Sequence, residues 1–515
     1  MEALAQIDYV VVALYLIIVV VVCARVTRRS PDAEELFLAG RSLGWGVVGL
    51  SLFASNISST TLIGLPGAAW EHGISVANYE WMAALILLAS ALFVVPTLLG
   101  NRVTTIPEQL ERRFDARMRK YLSVVTVVLS VVLDTAGSLY AGAIVLKLFF
   151  PEVSIGLSCA AIAIFAGLYT AAGGLRAVAY TDVLQALVLL GGSIMLTFII
   201  FGEFDYSWEN VKAAVPGDHL SLIRPMNDPA LPWLGTLIGL PILGFYYWTM
   251  NQYVAQRLLG ARDASAAGYG ALLAAMLKLL PLFFMVLPGV MALSLLPDLQ
   301  RPDSVFPTLI ATYAPAGLAG LILAGLLAAI MSSVDSALNS SSTLITLDFI
   351  KPVRPHLNAR ELGRLGRWIT LTLVAIAAVW APAIDNFSGL FAYLQQGFTY
   401  VTAPLVATFL AGMLSKRIGA TAAIRGTIAG HLFSLSWFIA TQIGWINLHF
   451  TIVAGVLLVV TLAAIFLMRG VSSETPSAEQ LQAVDRSRAP PVPTPIKWLS
   501  CLLALVTLAM VWVFR

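Results

Sequence analysis

Two membrane-length apolar stretches of this chain are interrupted by polar residues, glycine and proline. They lie at about 45–70 and about 231–254. The interrupting residues are Ser55 to Thr61, Gly64 and Pro66 in the first stretch, and Pro241, Gly244, Tyr246 to Trp248, Asn251 and Gln252 in the second. Hydrocarbon offers no partner to a freed backbone N–H or C=O, so a spanning helix unwinds only where protein or a wet cavity covers the break. Paired interruptions in two halves of a membrane protein are typical of a transporter's binding site, and the sequence therefore predicts a solute carrier.

The apolar content of the chain is too high for a soluble protein. Of its 515 residues, 59% are hydrophobic and only 11% are charged, so lipid has to solvate much of its surface. Because roughly 20 apolar residues cross a bilayer core, we predict an all-α membrane protein with about fourteen transmembrane helices. The predicted spans lie near 7–24, 45–70, 75–99, 119–149, 153–173, 178–202, 231–254, 266–295, 314–346, 366–382, 388–413, 419–441, 447–468 and 495–513.

Lysine and arginine cluster in alternate connections between these spans, above all at 112–120 and 351–367. The long connection at 203–230 is instead rich in aspartate and glutamate. Cytoplasmic loops of membrane proteins carry the excess of Lys and Arg. We therefore predict a multi-pass protein of the cell inner (plasma) membrane, with its N-terminus and C-terminus on the extracellular or periplasmic side.

The spacing of the two interruptions suggests an internal repeat. Five predicted spans fill 45–202 and five more fill 231–413, and each block opens with an interrupted span. Because five is odd, the second block enters the membrane from the opposite side. This is the inverted-repeat arrangement of many secondary transporters.

The rest of the chain lies outside the two repeats. We predict an extra transmembrane helix and a cytoplasmic loop at 1–44, and an extracellular loop at 203–230. Three C-terminal helices fill 414–515. They include a Pro- and Ser-rich cytoplasmic linker at 470–494, which is expected to be disordered.

Charged residues at membrane depth are rare because they are costly to bury, and each is a functional hypothesis by default. In this chain they are Glu80, Asp134, Asp182, Lys278, Asp335 and Asp385. A carboxylate such as Glu80 and an ammonium such as Lys278, facing one cavity, can both hydrogen-bond a polyhydroxylated solute. The structural alternative is that both pair with neighbouring residues and never touch a solute.

Hydroxyl groups and one carboxylate are concentrated in a single apolar span, between Ala328 and Ser342. Ser and Thr in membrane helices often bond only the carbonyl four residues back. Their concentration here favours an oxygen-lined cation site, because hard cations prefer oxygen ligands. Carbonyls of the first interrupted span would supply further ligands, as unwound helices do for sodium.

Three aromatic residues, Tyr246, Tyr247 and Trp248, cluster at the second interruption. A flat ring against the C–H face of a sugar, with polar groups around its hydroxyl rim, suits a mostly apolar pocket with a few oriented polar groups. The alternative is ordinary anchoring of Trp and Tyr at the membrane interface. The position at an interruption, away from the span ends, favours the pocket.

These residues, together with other segments, resemble the sodium/solute symporter family. The matching segments are Phe37 to Leu43, Ala54 to Ser58, Tyr79 to Ala84, Tyr169 to Gln185, Tyr246 to Trp248 with Asn251 to Tyr253, Lys278 with Leu287 to Gly289, and Ser332 and Ser333 ahead of Leu338 to Ser340. They cover nearly the whole chain in order and are most similar to the bacterial sodium/galactose and sodium/glucose transporters. The resemblance implies a LeuT-type core of two five-helix inverted repeats, with broken first and sixth core helices.

The resemblance also implies which residues bind the two substrates. The implied sodium ligands are the carbonyls of Ala54, Ile57 and Ala329 and the hydroxyls of Ser332 and Ser333. The implied sugar contacts are Glu80, Lys278 and Gln395, with Tyr247 as an inner gate, Trp248 beside it and Leu65 in an outer gate.

Two departures from the family pattern affect these assignments. Galactose-transporting members have a glutamine where this chain has Thr61 and an asparagine where it has Gly244, so a sugar is implied without specifying galactose. The carboxylate of Asp335 is the second departure. Together with Asp182, Ser332 and Ser336, it resembles the additional sodium site of the family's sialic acid branch and suggests a possible second sodium ion.

The predicted function is sodium-coupled import of a hexose such as glucose or galactose by alternating access, with Na⁺ as the coupling ion. A zinc-protease, serine-hydrolase or Walker A motif is not found, so we expect a secondary active transporter and not an enzyme. The expected partners are a small-molecule sugar, sodium and the lipid bilayer, without nucleic acid, and the protein is expected to function as a monomer. The alternatives are a sodium symporter for inositol, a sugar acid or an amino acid, a non-transporting solute sensor, and proton coupling through Asp182 or Asp335.

Overall fold

The computed structural model describes residues 5–26, 37–149, 151–387, 389–472 and 474–515. The loop at 27–36, predicted to be cytoplasmic, lies outside the described residues. All regular elements in the described part of the chain are helices, apart from one isolated β-bridge between Leu43 and Ala261. The all-α prediction is therefore confirmed.

The first half of the chain alternates long apolar helices with short connecting ones. In chain order the helices are α1 (Gln6–Val26), α2 (Trp45–Asn56), α3 (Ser59–His72), α4 (Ala77–Phe93), α5 (Val95–Gly100), α6 (Ile106–Arg113), α7 (Ala116–Leu129), α8 (Ala136–Phe149), α9 (Ile155–Gly202) and α10 (Trp208–Ala214).

The second half repeats this alternation. Its helices are α11 (Trp233–Phe245), α12 (Gln252–Leu259), α13 (Ala264–Leu277), α14 (Leu287–Leu295), α15 (Val305–Tyr313), α16 (Leu318–Leu344), α17 (Lys351–Val353), α18 (Ala359–Trp380), α19 (Leu390–Leu414), α20 (Ala420–Gln442), α21 (Phe450–Val471), α22 (Ala478–Gln482) and α23 (Thr494–Val513).

π-helical turns, in which the backbone gains a residue relative to an α-helix, join several neighbouring helices. In the described residues they are Ser130–Thr135, Tyr246–Met250, Leu282–Val286 and Ile345–Ile350. Such turns are rare and are frequently found at functional sites. Two of them reach the cavity described below.

The predicted spans coincide with helices of the structure. Nine helical stretches in the described residues are long and apolar enough to cross a membrane, and the bent pair α2–α3 is a tenth. The other four predicted spans fall on α1, on the first part of α9, on α11 with α12, and on α20. One boundary differs, since the spans predicted at 153–173 and 178–202 form the single helix α9. The residues between them include no proline that would end a helix.

Helix α16 lies at the centre of the bundle and carries the predicted cation site. The apolar part of this span is 89% buried. Small residues on its surface allow close approach of other helices, as is usual in membranes: a Cβ on Gly325 would lie 3.3 Å from the backbone of Leu189 in α9. On another side, Tyr15 and Val19 of α1 pack against the stripe that contains Ala328. The extra N-terminal helix therefore supports the cation-site helix directly.

The 470–494 segment differs from its predicted disorder. It contains the short helix α22, which begins with a capping box between Ser477 and Gln480. The side chains of Asn101 and Gln109 both donate to the carbonyl of Ala483 at 2.7 Å. These partners are distant in sequence, so the Pro and Ser content alone could not reveal that the segment is held in place. Residue 473 lies outside the described part.

Candidate functional site: a polar cavity between two broken helices

A polar and aromatic cavity lies where the two interrupted spans meet. It holds about 130 Å³ of space for the centres of water-sized molecules. The lining residues are Ser55, Asn56, Ser58, Thr60 and Thr61 from the first interruption, Tyr79, Glu80 and Ala83 from α4, Asp134 and Ser138 from α8 and the π-turn before it, Leu240, Leu243, Gly244, Tyr246, Tyr247, Trp248 and Tyr253 from the second interruption, Ser333 from α16, and Phe391, Leu394, Gln395 and Phe398 from α19.

The first interruption is a sharp bend at Ile57 and Ser58, where the axes of α2 and α3 differ by 57°. The Ser58 hydroxyl caps α3 by accepting the N–H of Thr61 at 3.2 Å, while the N–H of Ser58 donates to the carbonyl of Asn56 at 2.8 Å. In an uninterrupted helix these two N–H groups would bond the carbonyls of Ile57 and Ala54. The break therefore releases the two carbonyl oxygens predicted as sodium ligands.

The hydroxyl groups of α16 face this break. Ser333 lines the cavity, and its hydroxyl donates to the carbonyl of Ala329 at 2.8 Å. The hydroxyls of Ser55 and Ser336 are 3.3 Å apart, so α2 and α16 are in contact here. Ser332 lies beside Ser333 and is buried. The predicted sodium ligands thus lie on two facing segments.

The donor set suits an alkali ion. The described residues hold no group of three or more His, Cys, Asp or Glu side chains placed to bind a metal ion. The available ligands are instead carbonyl and hydroxyl oxygens, which match a hard cation and not a transition metal.

Glu80 lines the cavity, whereas Lys278 lies behind it. Lys278 is fully buried, forms an ion pair with Glu80 and donates to the side-chain oxygen of Asn56. Its ammonium also lies 5.6 Å from the ring centroid of Trp248. In this arrangement Glu80 faces the cavity, and the ammonium holds Glu80 and the end of α2 together.

The second interruption falls at Asn251, which is extended with a ψ of 125°. The N–H of Asn251 donates to the carbonyl of Tyr246 at 2.8 Å, which closes the π-turn, and its side chain caps α12 by accepting the N–H of Tyr253 at 3.2 Å. Pro241 and Gly244 lie within α11 and do not break it, since membrane helices tolerate Pro and Gly where neighbours satisfy the backbone.

The widened backbone of the π-turn presents consecutive aromatic side chains to the cavity. The ring centroids of Tyr247 and Trp248 are 5.1 Å apart, and those of Tyr247 and Phe398 are 6.4 Å apart. The hydroxyl of Tyr253 donates to the hydroxyl of Tyr247. Together these rings form one wall of the cavity, with hydroxyl groups at its edge.

Of the three remaining predicted contacts, two line the cavity and one does not. Thr61 and Gln395 line the cavity. Leu65 is fully buried one turn further along α3 and is not a lining residue. Phe391 does line the cavity, and its ring lies 5.1 Å from that of Tyr79 in an edge-to-face contact.

Asp134 is a lining residue that is not among the predicted contacts. It lies in the π-turn Ser130–Thr135, and its Oδ2 atom is buried with no hydrogen-bond partner in the described part of the chain. A carboxylate oxygen of this kind can accept a hydrogen bond from a solute hydroxyl. The only sequence signal was its charge at membrane depth, because the π-turn that directs it inward has no evident sequence signature.

The carboxylate of Asp182, predicted for a second sodium ion, is buried in a hydrogen-bonded cluster. It accepts from Ser332 at 2.6 Å and from Ser51 at 2.5 Å, and it forms an ion pair of 2.9 Å with the guanidinium of Arg257. Arg257 also donates to Ser336 at 2.6 Å. Asp335 is buried on the same helix as Ser332 and Ser336. Arg257 was not predicted, because it follows the second interrupted span and reads as a charge at the end of a helix.

The chain matches the sequence pattern of a known protein family over most of its length. A model of the sodium:solute symporter family matches residues 36–430. The match includes both interruptions, the α16 hydroxyl groups and Gln395.

Two relatives are similar over most of their length. A sodium/mannose cotransporter of Bos taurus is 34% identical over 471 residues, covering 83% of this chain and 78% of that protein. A sodium/glucose cotransporter of Vibrio parahaemolyticus is 33% identical over 466 residues, covering 84% of this chain and 85% of that protein.

Among solved structures, a substrate-bound, outward-open Na⁺-coupled sialic acid symporter has a TM-score of 0.81 and covers 92% of this chain and 99% of its own. At 23% sequence identity this likeness concerns the fold. It confirms the LeuT-type architecture predicted for the core.

Proposed function

The chain belongs to the sodium:solute symporter family, and we propose that it imports a hexose together with sodium by alternating access. It is a sodium-coupled secondary transporter and not an enzyme. One observation carries the choice of a sugar: the predicted sodium ligand Ser333, the carboxylate of Glu80 and the aromatic wall at Tyr247 line the same cavity.

The cavity has the chemistry that a hexose requires. Its polar rim includes Glu80, Asp134, Thr61 and Gln395, which together offer acceptors and donors to several hydroxyl groups. The rings at Tyr247 and Trp248 supply flat apolar surfaces for the C–H face of a sugar. The names of the two relatives, a mannose and a glucose cotransporter, support this class of solute.

Coupling follows from the shared wall of the cavity. A ligand shifts a conformational equilibrium only when it binds one state more tightly than the other. Sodium bound by the carbonyls of Ala54 and Ile57 and by the hydroxyls of α16 would fix the bend between α2 and α3. Because that bend also carries Asn56 and Thr61, the ion would shape the sugar-binding side of the cavity.

The membrane potential can supply the work of accumulation. One positive charge moving inward gains about 2.3 kcal/mol per 100 mV. A tenfold concentration ratio corresponds to about 1.4 kcal/mol. One sodium ion at such a potential can therefore support more than tenfold accumulation of sugar.

Orientation, location and oligomeric state are parts of the proposal. The basic clusters at 112–120 and 351–367 favour a cytoplasmic location for those connections, which places the N-terminus and the C-terminus on the extracellular or periplasmic side of the inner (plasma) membrane. The Phe391–Tyr79 contact then covers the outer end of the cavity. Because one chain lines the whole cavity, we propose that the monomer is the transporting unit in the bilayer.

The test is uptake into proteoliposomes with an inward gradient of sodium, lithium or potassium. Labelled glucose, galactose and mannose would be compared with labelled inositol, a sugar acid and an amino acid. Sodium-driven uptake of a hexose, competed by the other hexoses, is the expected result. Uptake restricted to inositol, sugar acids or amino acids would overturn the sugar assignment, and binding without counterflow would indicate a sensor.

A second sodium ion at Asp182, Asp335, Ser332 and Ser336 stays a prediction. The guanidinium of Arg257 already contacts the Asp182 carboxylate, so a second ion would share this carboxylate with an arginine. The ratio of charge to sugar, obtained from reversal potentials, decides the number. Two charges per sugar would support the second site, and one charge would refute it.

A further inference from the structure

Arg257 lies at a junction of both interrupted spans with the cation-site helix. Its side chain is fully buried. The Nε atom donates to the hydroxyl of Ser51 in α2 at 2.6 Å, and Nη2 donates to Asp182 in α9 at 2.9 Å and to Ser336 in α16 at 2.6 Å. One planar group therefore fixes the relative positions of α2, α9, α12 and α16.

The same side chain also reaches back toward the sugar side. Its Nη1 atom donates to the carbonyl of Tyr253 at 2.7 Å. The hydroxyl of Tyr253 in turn donates to the hydroxyl of Tyr247, whose ring lines the cavity. Tyr253 follows directly after the extended backbone at Asn251, so its position depends on how the second interruption is held.

On the sodium side, the cluster ends at a predicted ligand. Asp182 accepts a hydrogen bond from Ser332 at 2.6 Å. Two sets of hydrogen bonds, joined through the covalent frame of Tyr253, thus connect Tyr247 with Arg257, Asp182 and Ser332. These contacts depend on the guanidinium of Arg257, a rigid planar group with five N–H donors. A lysine ammonium, which is a single point charge on a flexible stem, would not reproduce them.

We propose that Arg257 is a positioning residue that couples sugar binding to sodium binding, through Tyr253 on one side and Asp182 on the other. The proposal rests on the proposed function. Coupling between two ligands is a free energy measured by the factor by which one ligand changes the affinity for the other, and this factor is equal in both directions. The proposal therefore concerns that factor and not the affinity for either ligand alone.

The experiment measures hexose binding to purified protein with and without saturating sodium, followed by the fluorescence of Trp248 and the other tryptophans. The probe is whichever of glucose, galactose and mannose shows the highest uptake in proteoliposomes. Sodium titrations without sugar set the saturating concentration for each variant, so that a weakened sodium site is not mistaken for lost coupling. For the unmodified protein, sodium is expected to tighten sugar binding by about tenfold or more.

The main variant is the double substitution Arg257→Gln with Asp182→Asn, which removes both charges and leaves no unpaired buried ion. It is expected to reduce the sodium effect to about twofold or less, with the sodium-free affinity for sugar within about threefold of the unmodified protein. Arg257→Lys keeps the charge but loses the planar fork, so an intermediate effect is expected. Ser336→Ala removes a single hydrogen bond and keeps the ion pair, so it is expected to lower the effect by about threefold.

The matched control is the double substitution Arg119→Gln with Asp348→Asn. This is another arginine–aspartate pair, with a 2.7 Å contact between a partly buried guanidinium and a buried carboxylate, and it lies away from the cavity lining. The sodium effect in this control is expected to equal that of the unmodified protein, which separates coupling from a general loss of packing.

Each outcome bears on one claim. A full sodium effect in the Arg257→Gln, Asp182→Asn variant overturns the proposal. If that variant does not fold, full sodium effects in both Arg257→Lys and Ser336→Ala overturn it. If sodium fails to tighten sugar binding in the unmodified protein, the proposed function itself is wrong.

Discussion

The two interrupted spans break the regular helical backbone in different ways. At Ile57 and Ser58 the helix axis turns by 57° and two backbone amides leave their usual acceptors. At Asn251 the chain passes through a π-turn, whose last bond is the 2.8 Å contact from the Asn251 N–H to Tyr246. The first break therefore exposes the carbonyl oxygens of Ala54 and Ile57, whereas the second retains one backbone bond across the π-turn and directs aromatic side chains into the cavity.

This difference fits the proposal that the first break binds the ion and the second break binds the solute. Bare carbonyls beside serine hydroxyls suit a hard cation, and a wall of rings suits the apolar face of a sugar. Both breaks nevertheless end in the same manner, because Ser58 and Asn251 each cap the helix that follows. Capping residues, and not the nearby proline and glycine, mark where the backbone changes direction in both spans.

The strongest challenge to this proposal is Glu80→Ala. Glu80 is on the sugar side, but its ion pair with Lys278 extends to Asn56 at the first break. Removing the carboxylate leaves a buried ammonium without its partner, which typically costs about 3–5 kcal/mol. We expect loss of measurable sugar binding and a large drop in the thermal unfolding temperature.

Glu80→Gln serves as the milder companion, since it keeps a hydrogen-bond acceptor for Lys278. Sodium binding, followed by isothermal titration calorimetry, should survive in Glu80→Gln while sugar affinity falls at least tenfold, or about 1.4 kcal/mol. If both substrates lost affinity equally in this variant, the two sides of the cavity would not be separable.

Ser333→Ala tests the ion side. The hydroxyl lies on α16 facing the released carbonyls of the first break, and loss of one oxygen ligand should raise the sodium concentration for half-maximal uptake by about tenfold, roughly 1.4 kcal/mol. The affinity for sugar in the absence of sodium should remain unchanged. Uptake that reached half its maximum at the unmodified sodium concentration would remove Ser333 from the set of ligands.

Tyr247→Phe tests the sugar side with a smaller change. The substitution retains the ring and removes only the hydroxyl that accepts from Tyr253. A single hydrogen bond contributes about 0.5–1.5 kcal/mol, so sugar affinity should fall by about two- to tenfold with little change in sodium affinity. Tyr247→Ala, which also removes the ring, should be far more damaging, and equal effects of the two variants would contradict a role for the ring face.

The sequence predicts the helical architecture well because hydropathy reports directly on the contact with lipid. It also predicts where the spans are interrupted, because polar groups at membrane depth need a cover. The sequence does not predict contacts between segments that are distant along the chain. The pairing of Lys278 with Glu80, the inward direction of Asp134 and the junction at Arg257 all depend on tertiary packing or on π-turns, for which the local pattern carries no signal. The 470–494 segment is held by side chains far away in sequence, such as Asn101, and its composition alone suggests disorder.

The smallest predicted effect distinguishes the two caps. Ser58→Ala and Asn251→Ala each remove a side-chain cap, and each should lower the free energy of unfolding by about 1 kcal/mol. Ser58→Ala frees the amide of Thr61, which can then return to the carbonyl of Ile57 and take away a sodium ligand. Asn251→Ala frees the amide of Tyr253, whose helical acceptor is the carbonyl of Thr249 and not a predicted sodium ligand. We therefore expect a sodium requirement raised by about threefold in Ser58→Ala and unchanged in Asn251→Ala, where the π-turn bond to Tyr246 is made by the backbone and remains. Matched thermal unfolding and sodium titrations of the pair would show this asymmetry, and an equal shift in both would mean that the two breaks bind the ion together.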